Sequence, residues 1–187
     1  MTILGIEESR SNGWLGGENQ NAGSQQRETR WLTPPALVQA LGEFDLDPCG
    51  APGHVLAAHT YLLENGDDGL RDPWFGRVWL NPPYGKEAEP FLAKLADYGR
   101  GTALIFARTE TASFNKHVWG RATAILFLRG RVTFLRSDGT PAAANSGAPS
   151  CLVAYGDEDA RALAGSVLEG HFVSLSSNAL PNREDGQ

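Results

Sequence analysis

Residues 78–85 read VWLNPPYG. An apolar run of strand type stops at an amide, Asn81, and Pro82, Pro83, Tyr84 and Gly85 follow. Prolines end a strand and carry no N–H, so the chain presents a short rigid turn at a strand end. An exocyclic amine on a planar ring or amide is a poor nucleophile because its lone pair is delocalised. The Asn81 side-chain oxygen and a backbone carbonyl of the proline turn can accept both of its N–H bonds and draw the lone pair out. Tyr84 can stack on the ring that carries the amine. Attack on a sulfonium methyl then needs orientation more than a strong base. An amide suffices where general-base catalysis would call for a carboxylate or histidine. The alternative reading of the four residues is a strand stop.

Such a turn needs a sheet to hold it. In WLTPPALVQALGEF, Thr33 suits a helix N-cap, Pro34 the first helical position and Gly42 the stop. Residues 44–46 read as a short strand that runs into DPCGAPG, and 77–80 as a second. Ala88, Phe91, Leu92, Leu95 and Ala96 have helical spacing, with Gly99 as a stop. TALIFA reads as a buried strand, ASFNKHVWGRA as a helix, and TAILFLRGRVTFL as a strand broken near Gly130. A loop over 138–149, the strand CLVAYG and a helix in DEDARALAGSVLE complete the pattern. Alternation of strand and helix from 33 to 130 predicts an α/β fold with a mainly parallel sheet. The last two strands, with no helix between them, predict an antiparallel C-terminal hairpin at one edge. Ligands bind such sheets beyond the carboxyl ends of the strands. Asp47 and Asn81 both fall at strand ends, on one side of one crevice.

The 187 residues, 41% hydrophobic, suffice for one domain with a core. Polar residues 1–30 read as a flexible arm, 31–175 as the domain and 176–187 as a tail. No apolar run reaches the ~20 residues of a membrane span, and no signal-peptide pattern opens the chain. Cys49 and Cys151 form no disulfide framework, and the four histidines have no metal spacing; no metal is expected. The net charge is −6, yet residues 100–136 hold seven Lys or Arg against Glu110 alone. A local basic face on an acidic chain can still hold phosphates.

The motif series resembles the bacteriophage-type DNA N-6-adenine methyltransferases (phage Dam). In that group W-x-T-P leads to F-D-L-D-P-C, then D-G-L, then W-x-G-x-V-W-x-N-P-P-Y-G. Here the same series is Trp31-Leu32-Thr33-Pro34, residues 44–49, Asp68-Gly69-Leu70, and residues 74–85. ALIFARTET, FLRGRVTF and SGAPSCLV continue it, so the likeness covers roughly residues 31–156. It implies a Rossmann-like domain dependent on S-adenosylmethionine (SAM), with DNA as partner, in the cytoplasm of a bacterial or phage-infected cell. It assigns Asn81, Pro82, Pro83 and Tyr84 to catalysis. Trp31, Thr33 and Pro34 would lie against the methionine part of SAM, Asp47, Pro48 and Cys49 near its amino-acid end, and Asp68 at its adenine. The glycine pattern of DPCGAPG departs from the usual D-P-F-x-G-x-G. Asp47 and Asp68 are also too close for a βαβ unit of ~30 residues, which implies an abbreviated cofactor lobe. Glu64 or Asp67 would serve as the ribose acid. Asp68 could instead cap a turn.

A base inside a duplex cannot reach the turn and must be flipped out. Phe134 would supply the second face opposite Tyr84, its alternative being core. Arg129 and Arg131 would meet DNA, as would Arg108 at a strand end, its alternative being only to start the next helix. Arg129 and Arg131 are two apart and would share a strand face, the alternative being an internal ion pair. Without a separate recognition domain, short loops or a homodimer would have to read sequence. The competing functions are SAM-dependent methylation of another planar amine (cytosine N4, RNA guanine N2 or protein glutamine) and an inert DNA-binding relative.

Overall fold

The computed structural model describes residues 31–175 and the two-residue strand Ile6–Glu7. The rest of the expected arm, and the expected tail at 176–187, lie outside the described residues. In chain order the elements are β1 (Ile6–Glu7), α1 (Pro35–Gln39), β2 (Leu46–Asp47), β3 (His59–Thr60), β4 (Val78–Leu80), α2 (Ala88–Tyr98), β5 (Gly101–Phe106), α3 (Ala112–Phe114), β6 (Ala124–Leu128), β7 (Arg131–Val132), β8 (Ser150–Tyr155), α4 (Asp157–Gly165) and β9 (Gly170–Ser174).

Seven strands form one sheet in the order β3-β2-β4-β5-β8-β6-β9. The β2–β3, β2–β4 and β4–β5 pairs are parallel. The β5–β8, β8–β6 and β6–β9 pairs are antiparallel. Strands β3, β2, β4, β5 and β6 therefore point one way, and β8 and β9 oppose them. The central strands are buried along their length, as an apolar run covered on both faces must be. Successive side chains alternate between two cores. Trp79, Leu104, Leu126 and Leu152 pack with Leu37 of α1 and Leu163 of α4 on one face. Val78, Leu80, Ala103, Ile125 and Val153 pack with Leu92 and Leu95 of α2 on the other.

At the amino end of the parallel strands, Arg77 ties the layers together. Its Nε donates to Asp159 Oδ1 at 2.9 Å and its Nη1 to the carbonyls of Leu41 and Glu43. Thr102 Oγ1 also donates to Asp159 Oδ1, at 2.8 Å. This buried knot leaves the carboxyl ends of the strands free to carry loops.

Several elements differ from the sequence reading. The first helix starts at Pro35, with no side-chain cap; Thr33 is engaged elsewhere, as described below. The 44–46 strand is displaced to Leu46–Asp47. The expected helix at 112–122 is one α turn, capped by Thr111, followed by a π segment, Asn115–Trp119. The expected long strand ends at Leu128, because Gly130 adopts a left-handed φ of 79°. Past that turn β7 leaves the main sheet and pairs with β1. Arg129 and Arg131 therefore share no strand face. The antiparallel pair lies inside the sheet, β8 between β5 and β6, rather than at its edge. The edge is β9, which the sequence read as chain end; its residues are mostly exposed and carry little apolar alternation.

Between β2 and β4 there is no α-helix, only β3 and a 3₁₀ turn at Leu63–Asn65, which is the short lobe that the Asp47–Asp68 spacing implied. Among the described residues no helix is long and apolar enough to cross a membrane. Ahead of α1, Leu32 exchanges two backbone hydrogen bonds with Leu135 (2.9 and 2.8 Å). Leu135 also bridges to Pro141. The segment before α1 is thus stitched to the loop that follows β7.

Candidate active site

Strand β4 stops at Leu80 because Pro82 and Pro83 cannot continue a ladder. Strand β2 stops at Asp47, whose Oδ1 accepts the Cys49 N–H at 3.0 Å and turns the chain. The two ends open into one cleft, lined by Asp47, Pro48 and Cys49 on one side and by residues 81–84 on the other. Trp31, Thr33, Asp67 and Asp68 complete its wall. Every expected cofactor residue except Pro34 is brought there; Pro34 is buried as the N-cap of α1.

The Asn81 carboxamide is held by its nitrogen. Nδ2 donates to Thr33 Oγ1 at 3.1 Å and to the Trp31 carbonyl at 3.4 Å. A backbone carbonyl can only accept, so the NH₂ end is fixed on that side. Asn81 Oδ1 is left buried with no hydrogen-bond partner among the described residues. An orphaned buried acceptor costs about 1–3 kcal/mol, and it persists here at the mouth of a cleft. His54 Nε2 lies 2.9 Å from the Thr33 carbonyl oxygen and so carries the proton toward it. Burial lowers the His54 pKa, against a smaller opposite effect of that hydrogen bond. The neutral ring braces the segment that holds the amide.

Asp47 is buried, and burial pushes its carboxyl up to about 7, partly offset by the Cys49 N–H. Asp68 Oδ1 accepts the N–H groups of Leu70 and Arg71, which hold its carboxyl below the usual range. Asp68 thus caps its turn while lining the cleft. Asp67 Oδ2 accepts from Leu62 N at 2.9 Å and also faces the cleft, whereas Glu64 does not line it. Three carbonyls, those of Gly69, Leu70 and Asp72, converge on Lys94 Nζ, and Trp74 Nε1 donates to Gly69 O. This loop is therefore pinned to α2. Gly69 is forced by contact: a Cβ there would sit 2.2 Å from the Pro48 carbonyl oxygen.

On the far side of Trp31 and Tyr84 lies an aromatic pocket of about 340 Å³, within the range of small-ligand sites. The Tyr84 ring stacks on Phe106 with centroids 4.8 Å apart and planes 21° apart. Phe134 meets Tyr84 edge-on, at 6.1 Å and 85°. Phe134 is buried and forms a wall rather than a parallel face. Sequence reasoning missed Phe106 and His54. Phe106 ends β5, next to the strand carrying the turn, so the strand-end rule that found Asn81 also reaches it. No sequence signal marks His54.

The three arginines expected at DNA separate. Arg108 is exposed and lines a third cavity, shared with Pro82, Pro83 and Tyr84. Arg131 donates to the Ser146 carbonyl at 3.2 Å, on the aromatic-pocket loop. Arg129 is ion-paired with Glu169 at 3.3 Å.

No curated protein and no solved structure matches the chain. One family model does, over residues 20–175, and it spans the strand carrying Asn81, the Asp47 turn, the 66–72 loop and the aromatic pocket alike. The chain therefore belongs to the family of DNA N-6-adenine-methyltransferases (Dam).

Proposed function

We propose that this chain transfers a methyl group from SAM to the N6 amine of adenine in DNA. The observation that carries the reading is the Asn81 amide, clamped through its nitrogen with its oxygen buried and unpartnered. Trp31 and Tyr84 belong to both the acidic cleft and the aromatic pocket, so the amide stands beside their junction. The cleft suits a cationic cofactor. It combines the carboxyls of Asp47, Asp67 and Asp68 with apolar walls from Pro48, Leu63 and Phe91.

SAM, when bound, supplies a methyl on a sulfonium sulfur. Asp47, Asp67 and Asp68 would hold its cationic and hydroxyl groups, and Tyr84 would stack on an everted adenine. Asn81 Oδ1 accepts one N6–H and the Pro82 carbonyl the other, which frees the lone pair from the ring. The amine so held would take the methyl as the S–C pair stays with sulfur, and one N6 proton would leave to water. Positioning, rather than a strong base, lowers the barrier.

The test is incubation with labelled SAM and DNA, followed by digestion to nucleosides. Label in N6-methyladenine is expected. Label in another base, or none in DNA, would overturn the reading. Asn81→Ala should lose transfer while still binding SAM.

A further inference from the structure

The sheet sorts its cations. The strands β4, β5 and β6 run the same way, and an arginine precedes each. All three are neutralised: Arg77 by Asp159 at 2.9 Å, Arg100 by Glu158 at 3.1 Å and Arg121 by Asp97 at 2.7 Å. Beyond the other ends of the same strands stand Lys86, Arg108 and Arg131. No carboxylate lies within ion-pair distance of these three among the described residues. Arg129, which directly follows β6, does have one, Glu169. Among the described residues these three cations at the active-site end are therefore without an ion pair, Glu7 being the register partner of Arg131 across the β1–β7 ladder.

Their placement is specific. Lys86 and Arg108 share a cavity with the hydroxyl residues Thr111 and Ser113 on one flank of Tyr84. The carboxylate on that cavity's wall, Glu89, has its Oε1 3.5 Å from His117 Nε2. Arg131 holds the Ser146 carbonyl in the loop of the aromatic pocket, on the other flank. Tyr84 lines both cavities.

We propose that Lys86 and Arg108 on one flank and Arg131 on the other form a phosphate-binding rim. Each flank takes the DNA backbone phosphate on one side of the nucleotide everted onto Tyr84. This rests on the methyltransferase reading above and adds where the strand lies. Phosphate contacts fix position and register without reading sequence. The rim thus supplies the backbone grip that the chain's net charge cannot.

The experiment measures affinity for a labelled DNA duplex over a salt series, using the full chain with melting curves alongside. Each phosphate contact contributes about 0.9 to the slope of log K against log salt. Lys86→Gln/Arg108→Gln should flatten the slope by about two units and weaken binding to unrelated sequences alike. Arg131→Gln should flatten it by about one, and Arg131→Lys should restore it, separating charge from the Ser146 contact. Arg100→Gln, which breaks an exposed pair at the opposite end, should leave the slope unchanged. A wild type that methylates DNA while the Lys86/Arg108 variant keeps the full slope would overturn the rim alone. A slope that falls with Arg100→Gln would overturn it as well. A wild type that neither binds nor methylates DNA would overturn the underlying function instead.

Discussion

Replacing Asp47 by asparagine should make the free protein more stable and a poorer cofactor binder, with the stability gap widening as pH rises. Asp47 is 3% exposed, and burial raises its carboxyl from 3.8 to about 7. A carboxyl raised in the folded state favours folding while it is protonated. That advantage is full below the unfolded value, shrinks as pH climbs, and is exhausted above about 7. Three units at about 1.36 kcal/mol each give a cost of about 4 kcal/mol for holding the ionised group, an upper bound because the chain relaxes around it. Asparagine keeps an acceptor for the Cys49 N–H and never ionises. Between about pH 5 and about pH 8 the variant should gain about 2–3 kcal/mol on the wild type, roughly 4–12 °C in melting temperature for a chain of this size. A cationic ligand selects the ionised form, so wild-type affinity for SAM should rise with pH, by up to tenfold per unit, until about pH 7. The variant should lack that rise. Thermal melting and calorimetric titration of both proteins at several pH values provide the check. Parallel melting profiles would refute the argument and return Asp47 to a solvated carboxylate.

The remaining predictions concern the proline turn, the aromatic pocket and the scaffold. Thr33→Val removes the Asn81 Nδ2 partner at 3.1 Å; at about 0.5–1.5 kcal/mol per hydrogen bond, single-turnover transfer should slow roughly two- to tenfold with little change in SAM affinity. Phe106→Ala takes the stacked ring from behind Tyr84 and should raise the KM for DNA; an unchanged KM would show that Tyr84 needs no support. Asp159→Asn leaves Arg77 without its buried counter-charge and should cost about 3–5 kcal/mol in chemical denaturation, while activity per folded molecule persists.

The strand ends were more legible than the connections between them. Asn81, the proline turn and Asp47 were readable because strand ends are marked by residues that cannot continue a ladder. The seam between them was not. Thr33 looks like a helix cap because capping and side-chain bonding across the fold call on the same hydroxyl, and only the folded chain shows that Asn81 takes it. Gly130 signalled a break but not that β7 would join β1. Strand β9 pairs through its backbone along an exposed edge, so its sequence lacks the apolar alternation that identifies strands. The pairing of Arg77, Arg100, Arg121 and Arg129 depends on carboxylates 24 to 82 positions away, distances over which residue spacing carries no information.

The stitch between Leu32 and Leu135 has a consequence for how the enzyme loads its substrate. One short stretch of chain holds the Asn81 amide through the Trp31 carbonyl and the Thr33 hydroxyl, and holds the aromatic-pocket loop through the Leu32 backbone. Any opening of that loop to admit a base is felt at the amide, and any tightening of the amide is felt at the loop. The state of the pocket and the position of the amide are therefore coupled, and by linkage each affects the other to the same extent.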